Sequence, residues 1–247
     1  RPAARPQTCT ECPLSTSRPE HPEASSNLQY LFLGDVLVAP IYDTKQNLTT
    51  RSVWIPPGKW QDAWNGSTVT GPATLSVTLP FERVPMWHRA GGGLVLALDE
   101  PGVRVDEQDW GTITLHAWPE LHATRTVRRA LRERSTGAAT PLAMATRGDG
   151  RSLRLDIGAS EAAVPRGWRL RLQLPPTFSP SASAVTATID GVAAAAPPTL
   201  LLPSASAPGA LATPFGGRGA LPAAGGGAVL ELEVPPAARP RVVELAL

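Results

Sequence analysis

Twenty-seven prolines, about double the usual share, run the length of this 247-residue chain. Each removes a main-chain donor and clashes with the preceding turn of a helix, so a protein of long helices is excluded. With 22 glycines beside them, the prolines favour short strands joined by many turns. The chain is long enough to bury a core without staples, and its two cysteines exclude a disulfide-dense scaffold. The opening RPAARPQTCTEC has no apolar core of the kind a secretory signal needs, and it starts at Arg rather than Met. The reading is therefore of a fragment, a processed chain or a sequence with a misplaced start.

The hydrophobic pattern agrees with strands. Residues 36–41 form a continuous apolar run of strand length, and 52–55 run into Pro56-Pro57-Gly58, a stop signal. Leu75, Val77 and Leu79 alternate with polar residues, as a half-buried strand requires. The same alternation recurs at 112–118, 151–157, 168–174 and 230–234, and 93–98 and 241–245 are further strand candidates. Residues 185–189 end in Asp190-Gly191, a hairpin-type turn pair. The stretch 192–228, rich in Ala, Pro and Gly, reads as one long loop.

Charge and tryptophan divide unevenly. Residues 1–118 hold 9 basic and 12 acidic groups, and residues 119–247 hold 14 and 9. Six of the seven tryptophans fall in the first part, which predicts a boundary near Pro119. The expectation is an all-β chain: a disordered lead-in at 1–27, then two tandem antiparallel β-sandwiches at 28–119 and 120–247. A net charge of +2 supplies no global field for nucleic acid, and the longest charge-free stretch cannot cross a bilayer as a helix.

Few residues group as a catalytic site would need. Cys9 and Cys12 have the spacing of a zinc knuckle or a redox pair, but a structural zinc needs four ligands and only His21 stands near. Neither a metal nor a cofactor is expected. The acidic cluster Asp99, Glu100, Asp106, Glu107 and Asp109 is read as a solvated loop; calcium ligation or paired carboxylates are the sharper alternatives. Arg125, Arg128, Arg129, Arg132 and Arg134 make a basic run, read as a solvated strand or helix face; contact with phosphate or an acidic protein partner is the sharper alternative. Arg147-Gly148-Asp149-Gly150 reads as a hairpin turn. Trp54, Trp60 and Trp64 are close enough in sequence to form a sugar-stacking platform if exposed; burial is the plain alternative. Asn47 and Asn65 head two N-glycosylation sequons, which hint at a secretory route.

Three ordered segments carry a family resemblance: QYLFLGDVLVAP at 29–40, RSVWIPPGKWQDAWNG at 51–66 and LPFERVPMWHRAGG at 79–92. Their order and spacing resemble the region after the catalytic barrel in glycoside hydrolase family 31. Trp60, Asp62, Trp64 and Gly66 match the second family motif, and Val84, Pro85, Arg89, Ala90 and Gly91 match the third. An extra Leu33 interrupts the family's Phe-Gly-Asp order. The resemblance implies proximal and distal C-terminal sandwiches of a retaining α-glycosidase. The partner would be a catalytic (β/α)8 barrel, whose two carboxylic residues lie before Gln29 in full-length members. No catalytic residue transfers to this chain, so the expectation is a structural accessory region, inactive alone. The alternative is a stand-alone carbohydrate-binding module.

Overall fold

The computed structural model describes residues 11–13, 29–40, 48–80, 83–97, 111–132, 137–159, 166–175, 178, 185–202, 228–237 and 239–247. These contain strands and no helix, as the proline content demands. The chain divides into two compact units, Arg1–Ala90 and Gly91–Leu247.

Among the described residues the first unit is one six-stranded sheet. Its strands are β1 (Glu11–Pro13), β2 (Tyr30–Phe32), β3 (Val36–Val38), β4 (Leu48–Asp62), β5 (Thr68–Pro80) and β6 (Met86–Arg89), in the spatial order β1-β2-β3-β6-β4-β5. The lead-in is thus not wholly unstructured. Glu11–Pro13 closes the free edge of β2, with Cys12 opposite Leu31, though three residues show no alternation to read. The remainder of the lead-in, with Cys9 and His21, lies outside the described residues.

Strand β4 runs straight through its stop signal. The ladder to β5 skips from Ile55 to Gly58, so Pro56 and Pro57 occupy a bulge where their missing donors cost no ladder bond. Across the ribbon, a Cβ on Gly71 would fall within 2.7 Å of the Ile55 carbonyl oxygen and closer still to that of Pro56. Only glycine permits that approach. Beyond the bulge the ribbon turns back over its own sheet. The Gln29 side chain donates to the Trp54 carbonyl at 2.7 Å and accepts from the Trp54 N–H at 3.1 Å, although β2 and β4 are not ladder neighbours. The fold-back encloses Leu31, Leu37, Val53, Trp54, Ile55, Trp60 and Trp87.

The second unit is a sandwich of two sheets. One, in the order β14-β13-β17-β11-β10-β9, uses β9 (Thr124–Arg132), β10 (Ala139–Arg147), β11 (Ser152–Ile157), β13 (Thr186–Ile189), β14 (Val192–Ala193) and β17 (Arg241–Ala246). The other, in the order β15-β16-β12-β8-β7, uses β7 (Gly92–Ala97), β8 (Thr112–Trp118), β12 (Gly167–Gln173), β15 (Thr199–Leu201) and β16 (Val229–Val234). The alternating apolar residues read from sequence meet between them: Leu153, Leu155 and Ile157 face Leu170, Leu172, Leu230 and Leu232 in one core.

Three expectations are corrected here. The units divide at Ala90 and Gly91 rather than at 119, because β7 and β8 pair with each other and β8 pairs with β12. Trp118, counted with the first domain, donates to Gln173 at 3.1 Å inside the second unit. The β8–β12 pairing is parallel, so the sheets are not purely antiparallel; β9, β10 and β11 supply the long crossover that a parallel pair needs. The stretch 192–228 is not all loop, since β14 and β15 lie in it.

Turn chemistry behaves as read. Asp190 and Gly191 both take positive φ, and Asp190 accepts from the Val242 N–H at 2.9 Å and from Arg241 at 2.7 Å. At the β10–β11 turn Asp149 accepts from the Arg151 and Ser152 N–H groups at 2.8 and 2.7 Å, and from the Ser152 hydroxyl at 2.5 Å. Those bonds, the hydroxyl's first, hold its carboxyl down to about 2. The folded value lies below the unfolded one, so the turn's contribution is complete above about pH 4 and fades as pH falls toward 2. Asp149→Asn should flatten this part of the acid-unfolding curve, followed by circular dichroism.

One charged pair is buried on the face of β12 that points away from the sandwich core. Arg171 donates to Glu231 at 2.7 Å, with side chains 6% and 14% exposed. Burial pushes the guanidinium below its ordinary value, and Glu231 opposes that shift. Glu231→Ala removes a charged acceptor from this buried guanidinium and should cost about 2 kcal/mol in urea unfolding. Replacing both partners with apolar residues should cost much less.

Candidate functional site: the tryptophan turn of the first unit

The family-like residues converge where β4, β6 and the β4–β5 turn meet. Trp60 is fully buried and donates from Nε1 to the Pro56 carbonyl at 2.8 Å, tying the strand to its own bulge. Arg89, on β6 directly opposite Trp60, lays its guanidinium over the indole at 4.7 Å. Asp35 sits 3.9 Å from Arg89 Nε, too far for a hydrogen bond at that nitrogen. The stacked contact, worth about 2 kcal/mol when desolvated, helps to orient Arg89. The main chain adds register: Arg89 N–H donates to Asp35 O at 2.8 Å and Ala90 N–H to Lys59 O at 2.9 Å.

Asp62 builds the turn. Its Oδ1 accepts from the N–H groups of Trp64 and Asn65 at 2.7 and 3.0 Å. Gly66 then closes back on the Asp62 carbonyl at 3.0 Å with φ of 74°, a conformation glycine adopts without strain. Gln61 donates to the Gly66 carbonyl at 3.2 Å. Trp64 is half-buried; it donates to Val84 O at 2.6 Å and lies under Arg83 at 5.2 Å.

The three tryptophans do not make a platform. Trp54 and Trp60 are 5% and 0% exposed, and Arg83 lies over the ring of half-buried Trp64. Asn65 is exposed at the turn, its Oδ1 accepting from the Ser67 N–H at 2.8 Å. Asn47 lies outside the described residues, as does the whole cluster from Asp99 to Asp109. Leu33, the extra residue, takes φ of 51° beside Gly34 in the β2–β3 turn, so Phe32 still pairs with Val36. Pattern reading missed Gln29 as a bridge, because nothing local marks a side chain that pairs with a strand 25 residues on. Among the described residues no three His, Cys, Asp or Glu side chains are grouped to hold a metal ion.

Residues 10–92 match the sequence model of the Glycosyl hydrolase family 31 C-terminal domain. This segment thus resembles that domain. The isomaltosyltransferase of Sporosarcina globispora is 34% identical over 71 residues, which are 29% of this chain and 6% of that protein. The α-xylosidase of Saccharolobus solfataricus is 28% identical over 92 residues, 37% of this chain and 12% of that one. The match thus spans a small part of each relative. A cycloalternan-forming enzyme from Listeria monocytogenes, solved with a pentasaccharide substrate, has the same fold. Its TM-score is 0.64 at 18% identity, over 96% of this chain and 20% of that one.

The family 31 motif residues are thus turn builders and packing posts. Among the described carboxylates of these segments, Asp62 holds two main-chain donors and Asp35 lies 3.9 Å from Arg89 Nε. Asp62→Ala should cost about 1 kcal/mol in urea unfolding, since two part-buried main-chain donors lose a charged acceptor. Asp62→Asn, which keeps an acceptor oxygen, should recover most of that loss.

Proposed function

We propose that this chain serves as an accessory region of a family 31 glycosidase, bracing a catalytic (β/α)8 barrel rather than performing chemistry itself. The observation that carries this reading is the use of the motif side chains. A catalytic carboxylate must face substrate, whereas Asp62 accepts from Trp64 and Asn65 and is 8% exposed. The small share of each relative that the match covers agrees with a module of a larger enzyme. The parent reaction is retaining chemistry on α-linked glucosides or xylosides, the class of the two relatives. The buried Trp54 and Trp60 argue against a free-standing sugar-stacking module.

The test is hydrolysis of chromogenic α-glucoside and α-xyloside by purified residues 1–247, beside the same residues joined to any sequence encoded upstream of Arg1. Turnover in the joined protein alone is expected. Turnover by residues 1–247 overturns the accessory reading and directs attention to the carboxylates at 99–109.

A further inference from the structure

Strand β9 ends the six-stranded sheet of the second unit, so one side of its ladder has no neighbouring strand among the described residues. Its sequence, TRTVRRALR, carries four arginines, and neither it nor its neighbour β10 contains an acid. Arg147 at the end of β10 adds a fifth cation, opposite Thr124. The strand period sorts them. Val127 points into the core, so Arg125 and Arg129 share its face and are half-buried, while Arg128 and Arg132 stand exposed on the outer face. Beneath those two, β10 presents only Ala143 and Ala139, so the guanidiniums rise above a low floor. Arg128 and Arg132 lie about 14 Å apart along the strand, from four residues at about 3.4 Å each.

One main-chain acceptor of this strand already takes a side chain: the Arg128 carbonyl accepts from Arg129 Nη1 at 2.9 Å. A carbonyl oxygen has a second lone pair, so this bond does not close the position to a ladder N–H. A second copy of the chain is a poor occupant, because two arginine-rich edges repel. An extended segment with alternating carboxylates is complementary on every count. Its main chain completes the ladder, and its alternate acids fall on one face, where two acids four residues apart match Arg128 and Arg132.

We propose that β9 is a docking edge for an acidic, extended peptide segment, added as a further antiparallel strand. Charge gives the approach, and the ladder fixes the register. The edge is independent of the accessory reading above, since it lies in the second unit and uses none of the tryptophan-turn residues.

The test uses residues 1–247 and a fluorescein-labelled decapeptide of alternating Glu and Thr, read by anisotropy at 20 mM salt. Saturable binding is expected, weakened at least about tenfold at 0.5 M salt, where charges are screened beyond about 4 Å. Arg128→Glu/Arg132→Glu, on the solvent face and so neutral to the core, should abolish binding with the circular dichroism unchanged. The same peptide N-methylated at alternate residues keeps its charge but loses its ladder donors, and should bind at least about tenfold more weakly. Equal binding of the methylated peptide overturns strand addition and leaves a general polyanion patch; a heparin oligosaccharide that binds where the decapeptide does not has the same meaning. Absence of saturable binding, or a double variant that binds like the wild type, overturns the docking edge outright.

Discussion

The first unit depends on one contact, the buried indole of Trp60 held between the Pro56 carbonyl and the Arg89 guanidinium. The first bond fixes the strand to its own bulge, and the second fixes β4 to β6. A tryptophan is the side chain that can do both, since it offers a flat face to a cation and one N–H at its edge. Remove it and the bulge loses its anchor, the Arg89 charge loses its cover, and the turn at Asp62 loses the strand that presents it.

The bulge explains why so long a strand exists at all. Fifteen residues of flat ribbon would be a poor edge, open to other chains. The break between Ile55 and Gly58 turns the far half over the near half, so the same ribbon serves as both layers of a small core. Two prolines usually end a strand. Here they stand where no donor is wanted, and Gly71 clears the space that the bend needs.

Much of the second unit was legible because its strands are half-buried and alternate. Leu153, Leu155 and Ile157, then Trp168, Leu170 and Leu172, point inward as a period of two requires. The pair Asp190-Gly191 marked its turn through backbone preference alone. The boundary was not legible. Composition placed it at 119 because tryptophan cluster and charge shift there, but a boundary is set by which strands exchange ladder bonds, and β7 and β8 exchange theirs within the second unit. The parallel pair was hidden for the same reason, since alternation reports which face a residue takes and not which neighbour it has. At the tryptophan turn, the motif letters marked the right residues. That Trp54 and Trp60 are buried follows from the fold-back, a tertiary event with no signal in a local window.

Gln29 has a consequence for where this domain begins. Its amide acts as a short artificial strand, matching one donor and one acceptor of Trp54 in the way a neighbouring main chain would. Glutamate lacks the donor, and leucine lacks both, so neither can take its place. Evolution or an engineer who moves this module between enzymes must therefore cut before residue 29. A graft begun at β2, one residue later, would leave the folded-back ribbon unlatched.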